Sequence, residues 1–457
     1  MIRSGTLRSG DRMPSVRQLC QERRLSPATA MRAYQELEAK GLVEARHRSG
    51  YFASALWRQS LAPPQRSRPP KRSTRVEVND LVFNILQAAR DREVIPLGSA
   101  FPSPQLFPWN KLSRYLGSSA RNMDPWSTVE SLPPGSEDLR RQIARRYLQS
   151  GARVDLDEIV ITSGALEALT LSLRTVTRPG DTVAIESPTF YACLQAIETN
   201  GLKAVEIPTD PHDGVDLSAL AQAITKHTIK ACWFMTTLQN PLGATLADEK
   251  KQELVRLLER HGVALIEDDV YGDLHAAVGR HKSAKTYDRK GVVLHCGSFS
   301  KCLAPGYRLG WVAAGKYSRG VQERKIATTL ATSMPIQLCI AKMLREGGYD
   351  SHLAKLRTTL AKQQVAAMVS LRKHLPREYR VSQPQGGYFL WIELAPSVDA
   401  LELHRLALER NISLAPGPMF SARREFKHFI RINCGHPWTE RMDHAIAEIG
   451  SLIRTLL

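Results

Sequence analysis

The stretch SFSKCLAPGYRLGW, residues 298–311, sets Lys301 just after Ser298 and Ser300 and puts Arg308 seven positions further on. A lysine amine condenses with an aldehyde, while two hydroxyls and a guanidinium are the side chains that hold a phosphate. Four earlier stretches add to this set, each following an apolar run. ITSGALEAL brings Ser163, Gly164 and Ala165 to a strand-to-helix turn, where backbone N–H groups and the helix dipole favour an anion. ESPTFYA brings Phe190 and Tyr191, flat rings that can stack on a flat cofactor or equally pack in a core. QNPLG brings Asn240, and IEDDVYGD brings Asp268 and Tyr271. These residues make sense together around pyridoxal 5'-phosphate. Lys301 would form an imine with its aldehyde, and amino compounds would displace it. Asp268 would pair with the pyridine nitrogen and keep the ring an electron sink. Asn240 and Tyr271 would bind the ring hydroxyl oxygen, and Ser298, Ser300, Arg308 and the Ser163 turn would hold the phosphate. Phe190, or else Tyr191, would cover a ring face. Arg431, in HFIRINCG, would offer a cation to a substrate carboxylate.

The elements that must position this set are legible as alternating helix and strand patterns from about residue 135. EIVITS, DTVAIES, KACWFMTT, VALIED and VVLHCGS are apolar enough to be buried on both faces, and amphipathic segments such as LADEKKQELVRLLERHG separate them. That order predicts an α/β fold with a mainly parallel sheet covered by helices, with ligands collecting beyond the carboxyl ends of the strands. After residue 330 a helix-rich stretch precedes GGYFLWIEL and HFIRINCG, which predicts a smaller C-terminal subdomain.

The front of the chain is different. Residues 1–75 hold sixteen Lys and Arg against five Asp and Glu, whereas the other 382 hold 47 against 40. A concentrated positive field recruits phosphate polymers, and a solubilising basic linker is the other reading. Ser15 with Gln18 three positions later predicts a helix start ending near Arg24. Ser26 with Pro27 predicts a second helix that stops at Gly41, and HRSG joins two strand-like runs, 42–46 and 51–54. Helix, turn, helix and basic hairpin is the order of a winged helix-turn-helix, whose second helix fits the major groove of double-stranded DNA. From 57 to 76 the Pro- and Arg-rich run predicts an extended spacer, followed by a helix in VNDLVFNILQAARD. The expected boundaries are 1–55 for the DNA-binding module, 56–88 for the linker and connecting helix, and 89–457 for the body. Within the body a large part spans about 130–330 and a small part about 331–457. Seven scattered cysteines without CxxC spacing argue against a disulfide framework or zinc site, and no apolar run approaches the ~20 residues of a membrane span. A cytoplasmic protein with no metal and no membrane partner is expected.

SGTLRSGDRMPSVRQL, LSPATAMRAYQELEAKGLV and RSGYF resemble the GntR family of bacterial regulators. The resemblance implies backbone contact by Arg17, groove contact by Ser26, Pro27, Thr29 and Arg32, and a wing contact by Arg46, His47, Arg48 and Gly50. It also implies a full helix ahead of the SG.L..GDR segment, so the expectation is either a start upstream of Met1, the favoured reading, or a module whose first helix is truncated. NP.G, DD.Y, S.SK......R and a late R.N follow the order of fold-type I aminotransferases, a resemblance that runs from about residue 90 to the end. The two together resemble the MocR branch of GntR regulators, which PLGSAFPSPQLFPW and PPGSEDLRRQIARRYL also fit. That implies a homodimer that senses pyridoxal phosphate or an amino compound at Lys301. Two alternatives stay open: a working aminotransferase with a vestigial DNA module, and a regulator whose pocket holds no cofactor. One departure is Glu130 in VESLPPG, where relatives carry a tyrosine that reaches the neighbouring subunit's phosphate.

Overall fold

The structure, a computed structural model, describes residues 7, 10–23, 25–39, 42–46, 49–53, 61–88, 93–276 and 281–457. The N-terminal module contains α1 (Val16–Arg23), α2 (Pro27–Ala39) and the antiparallel hairpin of β1 (Val43–Arg46) and β2 (Gly50–Ala53). Both helix starts follow from their caps: Ser15 Oγ accepts from the Gln18 amide at 3.1 Å, and Ser26 Oγ from the Thr29 amide at 3.1 Å. Residues 10–13 add a third edge to the hairpin, with the Ala53 amide donating to the Asp11 carbonyl at 2.8 Å. Tyr34 of α2 stacks on Tyr51 of β2, with centroids 4.4 Å apart and planes 7° apart, and fastens helix to wing.

The spacer is extended, as its prolines require, and from Leu61 onward it is docked. The Val381 amide donates to the Ala62 carbonyl and the Gln65 amide to Glu393, while Ser67 donates to the Ser187 carbonyl and accepts from the Thr209 amide. Its end forms β3 (Thr74–Arg75), which pairs with β6 (Lys203–Asp210). Then come α3 (Asn79–Ala88), α4 (Trp109–Arg121), α5 (Ser127–Glu130) and α6 (Glu137–Gln149).

The main sheet adds β4 (Ile159–Thr162), β5 (Thr182–Ser187), β7 (Gly214–Val215), β8 (Ile229–Phe234), β9 (Ala264–Asp268), β10 (Val293–Ser298) and β11 (Gly310–Ala313). Its order is β3-β6-β5-β8-β9-β10-β11-β4, with β7 beside β6. The run from β6 to β10 is parallel, and β11 lies antiparallel between β10 and β4. Period-2 alternation loads both faces with apolar side chains: Ala231 and Trp233 of β8 enter one core, Cys232 and Phe234 the other. The helices that cover them are α7 (Ala165–Val176), α8 (Tyr191–Thr199), α9 (Leu217–Lys226), α10 (Asp248–His261), α11 (Ser318–Ile326), α12 (Met334–Arg345) and α13 (Gly348–His374). α10 buries Leu254, Val255, Leu257 and Leu258 and ends on Gly262 at φ +64°, a left-handed cap that glycine adopts without strain.

The C-terminal part is a separate antiparallel sheet in the order β12 (Arg380–Val381), β13 (Phe389–Glu393), β15 (Phe429–Asn433), β14 (Ala415–Pro416). Helices α14 (Ala400–Leu408) and α15 (Glu440–Leu456) accompany it. Trp391 stacks on Phe429 in its core, 5.4 Å apart.

Candidate functional site

Parallel strands all present their carboxyl ends to one edge, and there the turns after β4, β5, β8, β9 and β10 deliver Ser163, Phe190, Asn240, Asp268 and Lys301. Lys301 is half-buried; its Nζ donates to the Ala100 carbonyl at 3.0 Å and lies 3.5 Å from the Phe101 ring centroid. Burial, then the charges of Arg431 and Arg308, lower its amine to about 7, against a smaller opposing pull from Asp268. A neutral, nucleophilic amine is therefore available near pH 7.

Asp268, 1 % exposed, has both carboxylate oxygens without a hydrogen-bond partner of ordinary geometry. The Val270 amide and Trp233 indole lie near enough to offset only part of the burial, which together with neighbouring Asp269 raises the carboxyl to about 7. Two orphaned acceptors in a dry site fit a cationic ring N–H, since a buried acid without such a partner is costly. Tyr271 is buried, and burial raises its hydroxyl despite the opposing Arg431 charge, so it remains a donor. Asn240 Nδ2 reaches the Tyr271 hydroxyl at 3.4 Å, and Asn240 Oδ1 accepts from Arg431 Nη1 at 2.9 Å.

On the other side, Arg308 Nη1 reaches Ser300 Oγ at 3.5 Å, and Ser298 Oγ accepts from the Ser300 amide at 3.0 Å. Gly164 sits at φ +90°, and a Cβ there would stand 2.6 Å from Arg308 Nη2. Only glycine lets the guanidinium lie across the start of α7. Ala165 begins that helix, so the turn joins a guanidinium, a hydroxyl pair and a helix N-terminus, a donor set suited to a phosphate. The Ser163 amide, however, is already taken by Glu167, which also pairs with Lys325 at 3.1 Å. Sequence reasoning missed Glu167, which occupies part of the anion-binding end of α7.

Phe190 is half-buried and Tyr191 buried, with ring centroids 4.4 Å apart; Tyr191 also lies 6.1 Å from Phe420. Arg431 is fully buried between the Phe389 and Phe420 rings; its Nη2 donates to the Gly98 and Ser99 carbonyls at 2.8 and 3.2 Å, and its Nε has no partner. The arm at residues 98–101 thus touches both Lys301 and Arg431. In the sequence this arm lies within PLGSAFPSPQLFPW, which carries the MocR resemblance but no residue whose type marks it for the site. Glu130 stands exposed at the end of α5, outside the cluster that this chain forms by itself.

In the N-terminal module, Arg17, Ser26, Pro27, Thr29 and Gly50 are exposed. The Ser26 and Thr29 hydroxyls lie 2.8 Å apart, and Arg46 stacks 4.4 Å from the Phe52 centroid. His47, Arg48 and the side chain of Arg32 lie outside the described residues, as does the segment ahead of residue 7.

A winged helix-turn-helix ahead of a fold-type I aminotransferase body, with a lysine, a buried acid and an arginine at the strand ends, defines a two-part regulator class. Residues 128–449 match the family of class I and II aminotransferases, and residues 1–52 match the GntR family of bacterial regulatory proteins. An uncharacterized HTH-type transcriptional regulator of Escherichia coli K12, YdcR, is 46 % identical over 100 % of this chain and 97 % of its own length. Two solved structures are similar over the body. The α-aminoadipate aminotransferase LysN of Thermus thermophilus, solved with N-(5'-phosphopyridoxyl)-L-leucine, is 25 % identical with a TM-score of 0.76, covering 84 % of this chain and 96 % of that one. The kynurenine aminotransferase of Pyrococcus horikoshii is 26 % identical with a TM-score of 0.75, covering 82 % and 95 %. The chain belongs to the GntR-type transcriptional regulators fused to a class I and II aminotransferase domain, the MocR type.

Proposed function

We propose that this regulator carries pyridoxal 5'-phosphate on Lys301 and senses the cofactor, or a small amino compound that exchanges with Lys301, through that bond. The observation that carries the reading is Asp268: a buried acid with two unpartnered oxygens, in a site that also holds a depressed lysine amine and a glycine-backed arginine. When bound, the cofactor would supply an aldehyde and an electron-accepting ring. Lys301 would present its uncharged amine to that aldehyde. Asp268 would face the ring nitrogen. Tyr271 and Asn240 would donate to the ring hydroxyl oxygen. Arg308, Ser298, Ser300 and the Gly164–Ala165 turn would hold the phosphate, and Arg431 would receive a carboxylate once the Gly98 and Ser99 carbonyls move aside.

DNA would bind through residues 11–55, with Arg17 and the wing on the backbone and the start of α2 in the major groove. Exposed Trp126, Val129 and Leu132 near α5, with Ile326 and Leu330 in the large part, support a homodimer, which suits a two-fold operator. No helix among the described residues is long and apolar enough to cross a membrane; the DNA-binding module supports a cytoplasmic location.

The test is the visible spectrum of the purified protein and its operator affinity with and without cofactor. A visible band that vanishes in Lys301→Ala, with an affinity that changes on adding cofactor or amine, supports the reading; equal affinities throughout end the sensor role. A second reading, transamination, is favoured by Asp268 itself, because a mere ligand shell needs no acid at the ring nitrogen; turnover against a panel of amino acids decides it.

A further inference from the structure

The site is shared between the two parts of the body. Lys301, Asp268 and Asn240 stand at strand ends of the large part, whereas Arg431 belongs to β15 of the small part and donates across to Asn240 Oδ1 at 2.9 Å. A ligand gripped at both ends of the site therefore biases how the two parts sit, because packed bodies move as units about their connections. The spacer is a further connection between the same two parts. On the small part, Gln383 Nε2 donates to the Leu61 carbonyl at 3.1 Å, the Val381 amide donates to the Ala62 carbonyl at 3.0 Å, and Glu393 Oε2 accepts from the Gln65 amide at 2.8 Å. On the large part, Ser67 Oγ donates to the Ser187 carbonyl at 2.5 Å and accepts from the Thr209 amide at 3.1 Å, and Arg66 pairs with Asp216 at the cap of α9.

This crossing is taut. Two residue steps separate Gln65 from Ser67, a reach of at most about 7 Å. Prolines at 63, 64, 69 and 70 stiffen the chain on either side, so little slack is available. A shift of one part against the other by more than about 1 Å must open one of the two clasps. Both clasps also adjoin elements that line the site. Glu393 ends β13, whose Trp391 is paired with Arg431, and Ser187 ends β5, three residues before Phe190.

The clasp on the small part is the weaker one. Ala62 and Gln65 are exposed, so water can replace their bonds at little cost. Ser67 is 9 % exposed, and the chain behind it is pinned by Lys71 on Gln222 and by the pairing of β3 with β6. Opening the weaker clasp moves the point where the body holds the chain from Leu61 back to Arg66, which adds residues 61–65 to the tether of the DNA-binding module. In a dimer bound to a two-fold operator, a longer tether lowers the effective concentration of the second module once the first is seated.

We propose that residues 61–67 are a strap that carries the state of the site to the DNA-binding module: a ligand joining the Lys301 end of the site to Arg431 shifts the small part, the Gln65–Glu393 clasp opens, and the lengthened tether weakens operator binding. The inference rests on the proposed cofactor site, and the test separates the two. From Pro63 to Pro69 only Gln65, Arg66, Ser67 and Arg68 carry amides, so hydrogen exchange of this stretch, read by mass spectrometry, reports the strap alone. In ligand-free protein Glu393→Ala should speed that exchange at least about tenfold, while Glu393→Gln, which still accepts from the Gln65 amide, should leave it unchanged. Gln65→Pro removes the donor at an exposed position and should lower operator affinity about threefold to tenfold, measured by fluorescence anisotropy. N-(5'-phosphopyridoxyl)-L-leucine, which joins a phosphate-bearing ring to a carboxylate, should produce both effects in wild type and change the operator affinity of Gln65→Pro by less than about twofold. Folded Gln65→Pro and Glu393→Ala proteins with the operator affinity of wild type overturn the proposal. Unchanged exchange at residues 65–68 in wild type that has bound the adduct overturns it as well. An adduct that does not bind overturns the cofactor site instead, and the ligand-free variants then still decide whether the strap sets operator affinity.

Discussion

Asp268→Asn should stabilise the cofactor-free protein at pH 8 and lose most of that advantage with pyridoxal 5'-phosphate. The carboxyl is raised from an ordinary value near 3.8 to about 7. Between those pH values the unfolded chain has released this proton and the folded chain has not, so stability falls as pH rises through the window, and the loss is complete above about 7. The gap is worth about 4 kcal/mol for this fully buried group. Asparagine cannot ionise and escapes that loss, but it leaves an unsatisfied amide at a cost of about 1–3 kcal/mol. The cofactor-free variant should therefore be more stable than wild type at pH 8 by about 1–3 kcal/mol, seen as a melting temperature higher by about 2–5 °C, and should show no advantage at pH 5. With cofactor the wild type recovers about 2.3 kcal/mol of that difference. Losing the charged partner of the ring nitrogen should weaken binding about 100-fold, so cofactor at 100 times the wild-type Kd stabilises wild type by about 2.7 kcal/mol and the variant by less than about 0.5. Differential scanning calorimetry at pH 5 and 8, with and without cofactor, gives all the quantities. Equal cofactor stabilisation of both proteins, or a variant less stable than wild type in cofactor-free buffer at pH 8, refutes the role given to Asp268.

Because the Lys301 amine lies near 7, the rate of cofactor capture should climb with pH through about 7 and level off above 8, as stopped-flow absorbance would record; a rise centred near 10 would mean that the amine is not depressed. Gly164→Ala should push Arg308 aside and weaken pyridoxal 5'-phosphate at least about tenfold while leaving phosphate-free pyridoxal nearly unaffected, a comparison that equilibrium titration makes directly. Tyr34→Ala, which empties the stack on Tyr51, should cost the N-terminal module about 3–5 kcal/mol and abolish the operator gel shift while the visible spectrum stays unchanged. Arg17→Gln should weaken binding to all DNA sequences alike and lower the slope of log affinity against log salt by about 1.

What the sequence reveals about this fold follows from how local each cause is. The five strand runs are legible because burial on both faces leaves an unbroken apolar signature, and Ser15 and Ser26 announce helix starts through bonds to residues three positions away, with Pro27 preset for the first helical position. β6 and β11 escape notice for the same reason inverted: KAVEIPTD mixes polar residues and a proline, and GWVA is four residues long, so each is a strand only because its partners are there. The site shows the same division. Lys301, Asp268 and Arg308 stand out by residue type and spacing, whereas the groups that act on them come from afar. The Ala100 carbonyl to which Lys301 donates is 201 positions away. The spacer is the extreme case. Its composition dictates an extended path, yet its polar groups need partners wherever the chain is covered, and Ala62, Gln65 and Ser67 find them on Val381, Glu393, Ser187 and Thr209. Those partners lie in both parts of the body, and Ser187 stands three residues before Phe190 at the mouth of the site. The segment that leads to the DNA-binding module is therefore bonded to the strand end that delivers Phe190 and Tyr191, an arrangement that no pattern within the spacer encodes.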